Sequence, residues 1–159
     1  MAALAVTGVS HFQGSDDELR VVGTSYTADT LERQQARGYR ASEIFFITGV
    51  DAFADIETWK RYPQVLDLAN FVVVARPGYA LSTLSSRLPS LAARMRPAAQ
   101  VEDGATPLIY LLQAATPDVS STAVRARLAR GESISGLVPP LVETYIHQHS
   151  LYRSLHGQD

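Results

Sequence analysis

The chain alternates between short unbroken apolar runs and longer stretches in which apolar residues recur every three or four positions. The first unbroken run is Ile44-Phe45-Phe46-Ile47, bounded by Gly49. Phe71-Val72-Val73-Val74 repeats the pattern and stops at Arg76-Pro77-Gly78. Runs of this length, rich in β-branched and aromatic residues, predict strands buried on both faces. Between them, residues 52–68 carry apolar positions at helical spacing, and Pro63 divides the stretch into two pieces. Strand, helical spacer, strand is a βαβ unit, so the two strands are expected to be parallel. Leu108-Ile109-Tyr110-Leu111-Leu112 reads as a third buried strand.

Helix boundaries are marked by polar and glycine punctuation. A helix is expected from Thr27 to Arg37, where Asp29 and Glu32 have capping-box spacing and Gly38 sits at the C-cap position. Residues 81–95 read as helical with an interruption at Pro89. Ser120 to Arg130 opens on serine and ends at Gly131. Val138 to His149 has Pro139 and Pro140 at its start, where a missing N–H costs nothing. Asp17 to Val22 is a candidate short strand, broken by Gly23-Thr24-Ser25. Alternation of this kind predicts an α/β fold, a mostly parallel sheet with flanking helices. One domain over residues 1–159 is expected.

Composition narrows the setting. Hydrophobic residues make up 46% and charged residues 19% of the 159 positions, as in a globular protein rather than a disordered one. No apolar run reaches the ~20 residues of a membrane span, and residues 1–9 lack the basic start of a signal peptide. There is no cysteine, which removes disulfides, thiolate nucleophiles and Cys-based zinc sites and fits a cytoplasmic setting. A net charge of −2 provides no general field for a nucleic-acid backbone, so neither nucleic acid nor membrane is expected as a partner. Homo-oligomerisation is left open.

In open parallel sheets, ligands bind beyond the carboxyl ends of the strands. Gly49 and Asp51 follow the first strong strand. The carboxylate can accept from ribose hydroxyls, or it can cap the next helix. Arg76 ends the second strand and can face an anion there or lie solvated at the surface. Ser120, Ser121 and Thr122 open a helix, whose free N–H groups and dipole suit phosphate. Arg125 lies four residues after Ser121 and shares its face, which suits a triphosphate. A plain serine cap beside a surface arginine reads equally well. Trp59, the only tryptophan, can stack on an aromatic ligand or fill the core. His147-Gln148-His149 is rejected as a metal site, because alternate helix positions diverge by about 200°.

Taken in order, these pieces become more specific. Ser25-Tyr26-Thr27-Ala28-Asp29-Thr30-Leu31, Phe46-Ile47-Thr48-Gly49-Val50-Asp51-Ala52, Thr58-Trp59-Lys60-Arg61-Tyr62, the run from Phe71 to Tyr79, Ser120-Ser121-Thr122 with Arg125, Leu137-Val138-Pro139 and His149-Ser150-Leu151-Tyr152 follow one another along nearly the whole chain. The series resembles the bacterial nicotinate mononucleotide adenylyltransferases of the nucleotidylyltransferase superfamily. The resemblance implies a Rossmann-like fold and AMP transfer from ATP to nicotinate mononucleotide. The products would be deamido-NAD and pyrophosphate, with Mg²⁺ assisting. It implies that Thr27, Trp59 and Arg76 meet nicotinate mononucleotide. Gly49, Asp51, Ser120, Ser121, Thr122 and Arg125 would serve ATP.

One family feature is missing. The family opens with Gly-Gly-x-Phe-Asp-Pro-x-His-x-Gly-His, and its two histidines flank the ATP phosphates. This sequence has four histidines, His11, His147, His149 and His156, and no His-x-Gly-His. The expectation is a chain lacking its first βα units, with no catalytic residue identified, an unpaired strand edge and exposed apolar faces. Two alternatives remain: a non-catalytic nucleotide-binding remnant, or a related enzyme with another acceptor such as pantetheine phosphate or the amidated mononucleotide.

Overall fold

Four short segments pair into one fully parallel sheet. They are β1 (Phe45–Gly49), β2 (Asn70–Val74), β3 (Met95–Pro97) and β4 (Ile109–Leu112), in the order β1-β2-β4-β3. The helices are α1 (Ala2–Ala5), α2 (Thr27–Ala36), α3 (Val50–Phe53), α4 (Leu84–Arg87), α5 (Ser121–Ala129) and α6 (Pro140–Gln148). The computed structural model describes residues 1–75, 81–101, 104, 106–115, 117 and 119–152. The chain divides into a larger unit, Asp17–Pro117, and a smaller one made of Met1–Asp16 and Asp118–Asp159.

The larger unit holds the sheet. Phe46 pairs with Phe71, and Phe71 with Ile109, so large apolar side chains line up across one face. Phe71, Val73 and Ile109 are fully buried there, together with Phe53, Ile56 and Val65 from the β1–β2 connection. Burying side chains of this size stabilises by about 1.5–3 kcal/mol each before entropy is counted. Asn70, the one buried polar residue among those described, ties the strand entries together. Its amide donates to the Ser42 carbonyl at 2.9 Å and its oxygen accepts from Leu108 N–H at 2.9 Å.

Several expectations are corrected here. β1 is not buried on both faces: it is an edge strand with Phe45 43% and Ile47 69% exposed. Residues 52–68 do not form two helical pieces. They run through α3 and short 3₁₀ turns at Ile56–Thr58 and Gln64–Asp67, with a cis Tyr62–Pro63 bond between. The apolar spacing there reports burial, not helix. Residues 81–95 are likewise α4 between 3₁₀ turns, and they lead into β3. Asp17 to Val22 is a turn, with Leu19 and Val22 exposed and Asp17 drawn 2.6 Å from the Arg37 guanidinium.

The predicted third buried strand is β4, and α2, α5 and α6 stand within one or two residues of their predicted ends. Gly38 and Gly131 follow the first two of these helices in the left-handed region, at φ 103° and 71°, where an L-residue would be strained. The capping box at Asp29 does not form. α2 begins two residues earlier, with Tyr26 as its N-cap, so Asp29 lies inside the first turn.

The smaller unit packs Val124 and Leu128 of α5 against Val142 and Ile146 of α6, around a fully buried Ile134. Among the described residues, no helix is long and apolar enough to cross a membrane.

Candidate functional site

The one-turn connection after α3 and the start of α2 face each other across a pocket. Residues 25–28 form one wall and residues 58–60 the other, around about 230 Å³. Thr27 is the first residue of α2, and Thr58-Trp59-Lys60 leaves the 3₁₀ turn at Ile56–Thr58. The two segments are about thirty residues apart in sequence, so only the fold brings them together.

Trp59 packs on the core and also lines the pocket. Its ring packs edge-on against Phe46 at 6.1 Å and Phe71 at 6.3 Å, which fixes it to the sheet. It is also half-buried and lines the pocket. Edge-to-face packing of this kind is worth about 0.5–1.5 kcal/mol beyond area burial and holds the ring in place. The indole is therefore a pre-set wall, not a side chain that must be ordered by a ligand.

Lys60 spans the pocket walls. Its ammonium donates to both Asp29 oxygens, at 3.2 and 2.9 Å, and sits 4.3 Å from the centre of the Tyr26 ring. The next residue, Arg61, takes φ 65° and reaches Glu32 at 2.7 Å. The Glu32 carboxylate hydrogen-bonds that guanidinium and pushes its pKa further up. Two ion pairs thus join residues 60–61 to α2. The sequence points to Thr27 and Trp59 but not to this pairing, because nothing local signals a contact across 31 residues.

Gly49 ends β1 and is the N-cap of α3. Asp51 lies one residue into that helix, partly buried, and does not serve as its cap. Both therefore sit at the carboxyl end of a parallel strand, the position at which such sheets bind ligands. Arg76 lies outside the described residues.

In the smaller unit, Ser120 is the N-cap of α5, and its Oγ accepts from Ala123 N–H at 3.1 Å. Ser121, Thr122 and Arg125 are exposed. Arg125 folds back along the helix: its Nε donates to the Ser121 carbonyl and its Nη2 to Ser121 Oγ, both at 3.1 Å. The shared face inferred from the four-residue spacing is present. The hydroxyls and guanidinium stand together beside a helix start, where the dipole favours anions.

The histidines near the C-terminus have local partners. His147 lies 3.9 Å from Glu143, and the His149 ring is 4.2 Å from that of Tyr145.

Comparison with known proteins shows the family. Residues 5–127 match the cytidylyltransferase-like family model. A relative from Thermus thermophilus, named probable nicotinate-nucleotide adenylyltransferase, is 39% identical over 155 residues, covering 96% of this chain and 70% of the relative. One of the same name from Clavibacter michiganensis is 38% identical over 154 residues, covering 97% of this chain and 68% of the relative. Among solved structures, Plasmodium falciparum nicotinic acid mononucleotide adenylyltransferase complexed with APC aligns with a TM-score of 0.57 at 19% identity. That alignment covers 82% of this chain and 60% of the other, and it supports the Rossmann-like fold alone. With such identity to its relatives along nearly all of its length, the chain belongs to the nicotinate-nucleotide adenylyltransferases, within the cytidylyltransferase-like family.

Proposed function

We propose that this chain positions nicotinate mononucleotide and ATP for transfer of AMP, giving deamido-NAD and pyrophosphate. The observation that carries this reading is the pocket at residues 25–28 and 58–60, lined by the single tryptophan and by Lys60. Pockets for drug-sized ligands run to about 300–1,000 Å³. A space of about 230 Å³ suits one ring and its substituent, with the sugar and phosphate outside.

In the reaction, an oxygen of the acceptor's 5′-phosphate attacks the α-phosphorus of ATP. The bond from that phosphorus to the α–β bridging oxygen breaks, and pyrophosphate leaves with the electron pair. No covalent enzyme intermediate forms. The chain's contribution is positioning and offsetting charge. Trp59 and Thr27 hold the pyridine ring, with Arg76 assigned to the same nucleotide. Gly49 and Asp51 meet a nucleotide sugar. Ser120, Ser121, Thr122 and Arg125 hold ATP phosphates.

Mg²⁺ enters this reading as the counter-ion of ATP. The described residues contain no cluster of three or more His, Asp or Glu placed to hold a metal. In sites of this kind Mg²⁺ is bound largely by phosphate oxygens and water. No step is assigned to it.

A second reading is favoured by one observation: the sequence contains no His-x-Gly-His. On that reading the chain binds nucleotide without turnover. Pyrophosphate release from ATP plus nicotinate mononucleotide separates the two. Turnover dependent on both substrates supports the enzyme. Calorimetric binding of both without pyrophosphate supports the binding module, and binding of neither removes both readings.

A further inference from the structure

The pocket has one charged lining residue, Lys60. Its carboxylate partner, Asp29, lies outside the lining, so the charge presented to a ligand is the ammonium's. Lys60 and Asp29 side chains are 42% and 35% exposed, so their pairing is partly screened and worth no more than an ordinary surface ion pair. An ammonium has three N–H donors, and the two contacts to Asp29 take at most two of them. The Tyr26 ring, with its centre 4.3 Å from the ammonium, attracts it without using a donor. A third donor is therefore available to a ligand group that enters between the walls.

We propose that Lys60 is the specificity-determining residue of this pocket, selecting a pyridine ring that carries a carboxylate over one that carries a carboxamide. The inference rests on the pyridine-nucleotide reading above and adds the residue that discriminates. A carboxylate accepts a charge-assisted hydrogen bond from the ammonium, whereas a neutral amide oxygen accepts one about half as strong. Asp29 opposes the effect. It shares the ammonium's charge and repels an approaching carboxylate, which sets the preference at a moderate level. Trp59, fixed by Phe46 and Phe71, contributes ring contact that is alike for acid and amide. Of the residues that line the pocket, Lys60 is the one whose charge distinguishes the two.

Calorimetric titration of the full chain with nicotinate mononucleotide and with nicotinamide mononucleotide tests this. The wild type binds the acid more tightly. In Lys60→Met the acid-to-amide affinity ratio falls about tenfold, and in Lys60→Arg it stays within about twofold, because the charge is kept. In Asp29→Asn, which frees the ammonium, the ratio rises. Raising salt from about 0.05 to 0.5 M lowers the wild-type ratio and leaves that of Lys60→Met unchanged, a dependence that a merely structural lysine would not produce. An unchanged ratio in Lys60→Met, or equal wild-type affinity for acid and amide, overturns the Lys60 assignment and leaves the pyridine reading standing. A wild type that binds neither mononucleotide overturns the pyridine reading itself.

Discussion

The pocket at Trp59 and the start of α5 are built differently. The pocket is set by tertiary structure: the indole is held by Phe46 and Phe71, and two ion pairs join residues 60–61 to α2. The start of α5 is set locally, by a serine cap and an arginine four residues along the same helix. The pocket needs the sheet beneath it, and the start of α5 needs only its own helix. The difference matters for what a ligand must do. At the pocket it meets a ring already in place. An anion binding at the start of α5, as proposed, would have to draw Arg125 off Ser121, and a helix-surface contact of that kind is worth only about 0.2–0.5 kcal/mol.

The largest expected effect lies under the pocket. Phe71→Ala removes the residue on which Trp59, Phe46 and Phe53 converge. It should cost about 3–5 kcal/mol in urea denaturation. The Trp59 emission should shift to the red as the indole loosens. A loss below about 1 kcal/mol would mean that the tryptophan wall stands without the sheet.

A smaller effect is expected at α5. Arg125→Ala should weaken ATP binding about tenfold at an exposed site. It should leave the affinity for nicotinate mononucleotide within about twofold, and calorimetry reads both. Unchanged ATP affinity would reduce Arg125 to a helix-surface residue.

The smallest effect concerns exposed ion pairs. Arg40 holds the Glu43 carboxyl below the usual carboxylate range, and Arg130 does the same for Glu132. A lowered folded-state pKa contributes stability that is present above the unfolded value and lost as pH falls through the folded one. Melting temperature should therefore decline on acidification below the ordinary glutamate range. Glu43→Gln and Glu132→Gln should flatten that decline slightly. A decline unchanged in both would assign it to other carboxylates.

The same contrast explains what could be read from the sequence. The strands at Phe46 and Phe71 and the helices α2, α5 and α6 were legible because their signals are local: apolar runs, serine and proline starts, glycine ends. β3 was not, because Met95-Arg96-Pro97 is three residues with a charge and a proline, tolerable only at an edge. Residues 52–68 misled because Phe53, Ile56, Val65 and Leu66 are buried from short turns that happen to repeat at helical spacing. β1 was read as doubly buried because Phe45 and Ile47 are as apolar as core residues, although they are exposed on an edge. At the site, Ser121 and Arg125 were legible as a pair by spacing. Lys60 with Asp29 was not, since only the folded chain brings them within 2.9 Å.

The central claim is that residues 25–28 and 58–60 receive the pyridine ring. Trp59 is the only tryptophan and lines that pocket, so its emission reports the site directly. Titration of the wild type with nicotinate mononucleotide should quench the emission saturably, while ATP alone should leave it unchanged. Saturable quenching by ATP alone, or no quenching by a mononucleotide that calorimetry shows to be bound, would contradict the account.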